Sequence, residues 1–525
     1  MTLRRAALLA APVASGVLLW LASPPVGFGA LAWVALVPAA AVSLALPGTR
    51  LARAAVPLAF GVYLELLLVP AFPFGLARDQ WGDPVLPVLV GDSPVLVIAL
   101  LLVPLAGLLL YALRFPQPLS LERPGHITTA LVAVLVPASA WTALDLLRTK
   151  YDPGGVWGPL FLSQEGSPAA GLGALAGPWA LTFALVAVNY TLALGIVAKP
   201  RDRHLALAPA AVVLALLLPS LVLPSGEGGR RIRVAAIQPG YDTAEFDLPV
   251  NHFLRSRFRD LERASVDLVR DLAPLTREAA ERGAGLAVWP EATLWVDPAT
   301  NERIRQLLRN VAADTGLVLV VPYFLRGPDH GAAVLVLPDG TITRSQPKQR
   351  PMWFLGERGG NRSSPRPVDA HTIRVGTLLG VDNQDPAWPR NLAARGAGLL
   401  TSSTHDWAAL ADQQVALSRL HAVALRVPFV RADWRYGSAI VGADGATLAS
   451  AGFEKRRTVL VADVVTGSQA TLYTRVGDIF GWLCVAALAP LGLLALRKPS
   501  DAERAHAQRA PNPLGEAELA AHPPP

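Results

Sequence analysis

Seven stretches of nearly unbroken apolar sequence fill the first 223 residues, at roughly 6–23, 28–46, 55–73, 88–113, 128–146, 175–197 and 205–223. Each is close to the ~20 residues that an α-helix needs to cross the hydrocarbon core of a bilayer. A helix satisfies all its backbone hydrogen bonds internally, which is what a segment surrounded by lipid requires. An eighth stretch runs from about Asp478 to Leu496. The expected architecture is therefore an eight-span α-helical membrane bundle, with seven helices in 1–224 and the last in 475–497. A hydrophobic content of 52%, a charged content of 17% and a mean hydropathy of +0.38 over 525 residues agree, being too apolar for an ordinary soluble enzyme. Residues 230–474 have ordinary globular composition and are long enough to bury their own core. The segment 498–525 is rich in Ala, Pro and charge, and reads as a disordered cytoplasmic tail.

Lys and Arg in short loops set orientation. Arg4 and Arg5, Arg50 and Arg53, Arg114 and Arg123, and Lys199, Arg201 and Arg203 all fall in loops on one side, and Arg497 with Lys498 fall on that side after eight spans. That side is the cytoplasmic one, so both termini are expected inside and the globular domain outside the membrane. Arg78, Arg148 and Lys150 lie in outer loops and weaken the bias without reversing it. The formal charge of +7 needs no further explanation, and without a basic stripe interleaved with aromatics no nucleic-acid partner is expected. The first stretch, with RR before it and LASPP after it, also fits a signal peptide, but an uncleaved anchor is expected.

Cys484 is the sole cysteine and lies within the last apolar stretch, so it cannot form an internal disulfide and is expected to pack as a small apolar residue. His405 and Asp406 are adjacent but lack further His or Cys at ligand spacing, so no metal and no cofactor are expected. Small residues in GLGALAG (171–177) favour close helix packing.

The outer segment opens on an apolar strand, Ile232 to Ile237, that ends in Gln-Pro-Gly. A helical pattern follows through RSRFRDLERASVDLVRDLAPLTREAAERG, with Gly283 as its stop. Strands in GLAVWPEATLW, GLVLVVPYF, AAVLVLPDG and VGTLLGV come next, and helix and strand alternate beyond them, which implies a layered α/β domain. Chemically suggestive residues stand at strand ends. Glu291 follows AVWP, where burial can raise a carboxylate's pKa towards that of a general base. Lys348 lies in RSQPKQRPMWFLGER and Glu357 closes that loop, free either to pair with a base or to face water. The polar segment RGGNRSSPRP (358–367) is expected to be a mobile loop.

Strand-WPE, then Lys before an aromatic-Gly-Glu loop, then Gly-x-x-apolar leading into an elbow, resembles the nitrilase superfamily. With seven spans before it and one after, the chain resembles the apolipoprotein N-acyltransferases of bacterial lipoprotein maturation. SPPVGFGALAWVALVP, the loop from Trp141 through Asp145 and Arg148 to GGVWGPLFLSQ, LLTSSTHDWA and QQVALSRLHAVALRVPFVRADWRYGSAIVGADG extend the resemblance over nearly the whole chain. It implies an α/β nitrilase-like (αββα sandwich) extracytoplasmic domain on a bacterial inner-membrane protein. In that family a Glu is general base, a Lys stabilises the oxyanion, and a Cys takes an acyl chain from a phospholipid as a thioester before passing it to the N-terminal amine of a lipoprotein. Carried over, Glu291 takes the base position, Lys348 the oxyanion position and Glu357 that of the loop acid. Trp289, Trp353, Arg148 and Trp407 take substrate-binding positions. The implied partners are a phospholipid, a lipoprotein N-terminus and the bilayer.

The nucleophile position falls on Gly380 in VGTLLGVDNQDP, and the acid two residues on is Asp382. A backbone group cannot replace a thiolate that must attack and later leave, so the thioester route is excluded at this position. Three readings remain open. The chain is an acyltransferase using Asp382, a hydroxyl of Ser402, Ser403 or Thr404, or direct transfer with Glu291 as base. Alternatively it binds lipid or lipoprotein without turnover, or assists an active paralogue. The third option is an unrelated amide-cleaving or transport role on the same fold.

Overall fold

The computed structural model describes residues 3–46, 49–69, 127–151, 157–218, 229–241, 260–325, 330–352, 357–358, 365–406, 408–467 and 470–496. The expected span at 88–113 and the tail at 498–525 lie outside these residues. Apolar helices run over Leu3–Ala22, Arg50–Val69, Ile127–Tyr151, Pro178–Val197, Leu207–Leu217 and Ile479–Leu496. Of the described helices, Ile127–Tyr151 (25 residues) and Pro178–Val197 (20 residues) are long and apolar enough to cross a membrane. The stretch 28–46 does not form the single helix expected of it. It divides into a 3₁₀ turn at Gly29–Trp33 and a short helix at Val37–Ala45. Pro38 lacks a backbone N–H and so belongs in the first turn of a new helix. Leu19, Leu36, Ala59, Val134, Leu185 and Tyr190 meet in one apolar core.

Alternation along β1 (Arg231–Gln238) sets the architecture of the other body. Val234 and Ala236 face one way, Ala235 and Ile237 the other, and all four are buried. A strand buried on both faces needs a covering layer on each side. On one side Leu268-bearing helix Leu261–Glu281 and helix Glu302–Thr315 pack Val269, Leu272, Ile304 and Leu308 against Ala235, Ile237 and Ala287. On the other, Val234, Ala236, Val288 and Val320 meet Val375, Leu399, Val430 and Ile440 of a second sheet. That sheet's outer face is covered in turn by helices Ala387–Ala394 and Ala408–Leu425. The result is a four-layer αββα sandwich.

Each sheet has six described strands, ordered β12-β1-β2-β3-β4-β5 and β11-β10-β9-β8-β7-β6. In the first, β1, β2 (Leu286–Val288) and β3 (Val318–Leu325) are parallel, and β4 (His330–Val336) and β5 (Gln346–Pro347) return antiparallel. In the second, β7 (Ile373–Leu379), β8 (Leu399–Thr404) and β9 (Phe429–Asp433) are parallel, and β10 (Ala439–Val441) and β11 (Thr447–Ser450) return antiparallel. Edge strands β12 (Thr458–Val465) and β6 (Val368–Ala370) complete them antiparallel to β1 and β7. The two halves repeat one plan, and the carboxyl ends of their parallel strands converge.

The sandwich docks on the apolar helices through Ala408–Leu425. Ala416, Leu417 and Leu420 of that helix pack among Leu146, Phe161, Leu172 and Trp179. The small residues of GLGALAG serve this contact, since a Cβ on Gly173 would come within 3.1 Å of the Ala424 methyl.

Candidate active site

The turn after β2 presents Glu291. The next residue, Ala292, has φ +53, a left-handed conformation that costs an L-residue energy and bends the chain sharply. Opposite backbones hold the turn. The Glu291 N–H donates to the Thr404 carbonyl at the end of β8 (3.3 Å), and the Trp434 indole N–H donates to the Glu291 carbonyl (2.6 Å). One sheet's carboxylate is thereby tied to the strand ends of the other.

Lys348 follows β5, and its N–H donates to the Gly331 carbonyl of β4 (2.9 Å). Its side chain is 3% exposed, and its Nζ lies 2.9 Å from Oε1 of Glu291 and 2.8 Å from Oε2 of Glu357. Glu357 therefore pairs with the lysine, and it also accepts the Met352 N–H at 2.8 Å.

Gly380 begins a single 3₁₀ turn, Gly380–Gln384, at the end of β7. Its φ is +47, and a Cβ built on it would lie 2.6 Å from Oε2 and 2.8 Å from Oε1 of Glu291. Asp382 is 1% exposed, and its carboxylate accepts the N–H groups of Gln349 (3.0 Å), Arg350 (2.7 Å) and Leu379 (3.3 Å). Asp382 thus binds the elbow to the loop that carries Lys348.

Burial dominates the electrostatics. It pushes the Glu291 carboxyl up to about 7, against the opposing pull of the Lys348 ammonium. Burial works against the charge of Lys348, yet Glu291 and Glu357 outweigh it and hold that ammonium above its ordinary pKa. Asp382 is raised by burial to about 6, less than it would be without Lys348 and the three amides. His405 is driven down to about 3 by burial, Arg435 and Lys348, so its imidazole is neutral.

Glu291, Lys348, Glu357, Gly380 and Asp382 come together at one point. Trp289 does not join them. Although expected at the substrate, it is fully buried under helix Leu261–Glu281 and donates its indole N–H to Thr276 (3.1 Å), because strand alternation turns it to the helix layer. Asp382 is likewise unsuited to attack a carbonyl, since its oxygens are already committed to backbone donors. Thr404 donates to Asp433 (2.8 Å). Among the described residues, the buried Ser402 and Ser403 hydroxyls find no hydrogen-bond partner. Arg148 donates to the Trp157 carbonyl (2.7 Å) and stacks over Phe60, with its charge centre 5.2 Å from the ring. Trp353, Trp407 and most of the loop 358–367 lie outside the described residues. Among the described residues, no group of three or more His, Cys, Asp or Glu could hold a metal ion.

Sequence reasoning passed over Trp434, Asp433 and Arg431. Asp433 accepts from Thr404 Oγ1 and the Asp406 N–H (2.9 Å), and the Arg431 guanidinium pairs with Asp406. The signal was present: in VPFVRADW a strand otherwise apolar carries opposite charges at i and i+2, on one buried face.

A carboxylate and an ammonium at the converging strand ends of an αββα sandwich define a nitrilase-like α/β domain, and residues 262–471 match the carbon-nitrogen hydrolase family. Residues 15–191 match the apolipoprotein N-acyltransferase N-terminal domain. Over 400 residues the chain is 27% identical to the apolipoprotein N-acyltransferase of Geobacter metallireducens, spanning 69% of this chain and 74% of that protein. Together these matches support the apolipoprotein N-acyltransferase family for this chain. Solved structures similar to it include an amidase from Nesterenkonia sp. (20% identity, 50% of this chain and 99% of that one, TM-score 0.37). A carbon-nitrogen hydrolase from Helicobacter pylori G27 is also similar (15% identity, 51% and 96%, TM-score 0.36).

Proposed function

We propose that this is an N-acyltransferase-family protein of bacterial lipoprotein maturation that binds phospholipid and a lipoprotein N-terminus at the Glu291–Lys348–Gly380 site without forming a thioester. One observation carries the reading: the Gly380 backbone faces the Glu291 carboxylate with no side chain between them, and the carboxylate takes up the space a nucleophile would need. Cys484 is no substitute, being buried in the helix Ile479–Leu496. The retained lysine and paired acids support recognition of an ester carbonyl and an amine. Homology to a membrane N-acyltransferase supports the bacterial inner membrane, and the loop charges support a multi-pass chain with its sandwich outside and its termini in the cytoplasm. In this role it works alone as a binder or beside an active paralogue.

A second reading is favoured by the raised pKa of Glu291, which suits a base near neutral pH. Here the lipoprotein amine attacks the phospholipid ester carbonyl, Glu291 takes the amine's proton and returns it to the ester oxygen as the C–O bond breaks, and a lysophospholipid leaves as the alcohol. One experiment separates the two. Purified protein in detergent receives phospholipid and a diacylated lipopeptide, and mass spectrometry follows both. Binding without gain of a third chain is the expected result; a third acyl chain that disappears in Glu291→Gln establishes direct transfer and overturns the binding role.

A further inference from the structure

Lys150, an outer-loop charge by its place in the sequence, is largely buried. It stands at the end of helix Ile127–Tyr151 with its side chain 16% exposed, and its Nζ lies 2.8 Å from Oδ1 of Asp385 and 3.0 Å from Oδ2 of Asp478. Asp385 ends the Gly380 elbow and accepts the Ala387 N–H (3.0 Å) at the start of the next helix. Asp478 precedes helix Ile479–Leu496, and its other oxygen accepts from the Trp179 indole (2.8 Å) and the Tyr473 hydroxyl (2.9 Å). The neighbouring residue makes the second attachment, as the Thr149 carbonyl accepts from the Arg350 guanidinium at 2.7 Å. Arg350 in turn donates its N–H to Asp382. These contacts close a ring: Lys150 to Asp385, along the elbow to Asp382, across to Arg350, and back to Thr149.

We propose that Lys150 is a positioning residue, which clamps the Gly380 elbow and the loop after Lys348 to the end of one apolar helix. The clamp fixes the height of the Glu291–Lys348 pair relative to the apolar helices, where the polar end of a bound lipid must meet it. This rests on the proposed lipid site. Its chemistry is that of a buried ammonium shared by two carboxylates, each otherwise held by neutral donors. Removing such a partner strands charge in a place water reaches poorly, and the segments it joined open independently.

Hydrogen–deuterium exchange of the full chain in detergent micelles tests the clamp without lipid. In Lys150→Met, the Gln349, Arg350 and Leu379 amides, all donors to Asp382, are expected to exchange on the order of tenfold faster, while Ala287 and Leu400 inside the sheets keep wild-type rates. Lys150→Arg, which keeps the charge, is expected to recover most of the protection. Lys150→Met with Asp385→Asn removes the ion pair without stranding that carboxylate, and carries the test if the single variant fails to fold. It is expected to melt nearer to wild type than Lys150→Met does, with Asp478 alone left without its cation, and still to exchange fast at the three amides. Wild-type protection in the double variant, or loss spread equally over the sheet amides, overturns the proposal. Titration with a diacylated lipopeptide then separates the two ideas. A wild type that binds none sinks the functional reading and leaves the exchange result standing; a double variant that binds as tightly as wild type sinks the clamp's link to lipid.

Discussion

Gly380→Cys puts a nucleophile where the elbow would hold one, and the structure sets what that costs. At φ +47 any L-residue is strained by about 1–3 kcal/mol. The new Cβ would start 2.6 Å from Oε2 of Glu291, so the carboxylate must withdraw by about 0.8 Å to restore ordinary contact. A carboxylate at the end of a flexible side chain can do so, and Lys348 keeps Glu357 as a second partner meanwhile. The introduced thiol would then face an acid raised to about 7 and stand near a buried ammonium, two neighbours that help generate and stabilise a thiolate. The assay uses a Cys484→Ala background, with pH-dependent alkylation reporting the thiol and mass spectrometry reporting a third acyl chain on the lipopeptide. Transfer at least about tenfold above the parent is expected, far below the roughly million-fold a native nucleophile has supplied elsewhere, because the strain and the displaced carboxylate remain. Gly380→Ala carries the same strain without sulfur and is expected to show no gain. A thiol that alkylates rapidly yet transfers nothing would refute the claim that Glu291 and Lys348 are still placed for acyl chemistry.

Ionising Glu291 opposes folding. Its folded pKa of about 7 exceeds the ordinary 4.5, so the folded state holds a proton that the unfolded state has lost, and stability falls as pH rises between those values. Glu291→Gln is expected to remove roughly 3 kcal/mol of that slope, read as a flatter melting temperature between about pH 5 and pH 8; an unchanged slope would show that the carboxylate is not buried as described. Lys348→Met strands Glu291 and Glu357 and is expected to cost about 3–5 kcal/mol, with partial recovery on adding Glu291→Gln; additive losses in the double variant would count against a shared ion pair. Asp382→Asn turns an acceptor of three N–H groups into one that also points donors at them. A loss of about 1–3 kcal/mol and faster tryptic cleavage after Lys348 are expected, the bond after Arg350 being closed to trypsin by Pro351, and wild-type proteolysis would remove Asp382 from its bridging place.

What could be read from the sequence was local. The apolar runs in RIRVAAIQ and before WPE gave strands, and Gly283 closed its helix with φ +80 as a left-handed stop. Helix Glu302–Thr315 was overlooked although its ends are marked, by Asn301 accepting the Ile304 N–H (3.0 Å) and by Gly316 at φ +68. Glu291, Lys348, Glu357 and Gly380 were legible because each follows an apolar strand or closes a loop at family spacing. Trp434 and the Lys150 junction were not, since they act on residues 143, 235 and 328 positions away and no periodicity reports such distances. Trp289 misled for a related reason: a tryptophan beside a site residue reads as a contact until strand alternation assigns its side.

The elbow at Gly380 holds its shape without any side chain at that position. Its conformation is imposed from outside residue 380, by Asp382 gathering three amides, by Asp385 paired with Lys150 and by the strand that ends at Leu379. None of these contacts uses a side chain at 380. A side chain there would in fact be strained, because φ +47 suits glycine and Glu291 crowds the Cβ position. On the binding reading proposed above, glycine at such a point relieves strain instead of opening a large cavity, so the fold keeps its stability without thioester chemistry. Glu291 and Lys348 are held by the opposite sheet and by each other, and that mutual support does not depend on catalysis. Retention of both is therefore a statement about binding geometry, and only the transfer assay distinguishes a site that still acts from one that only holds.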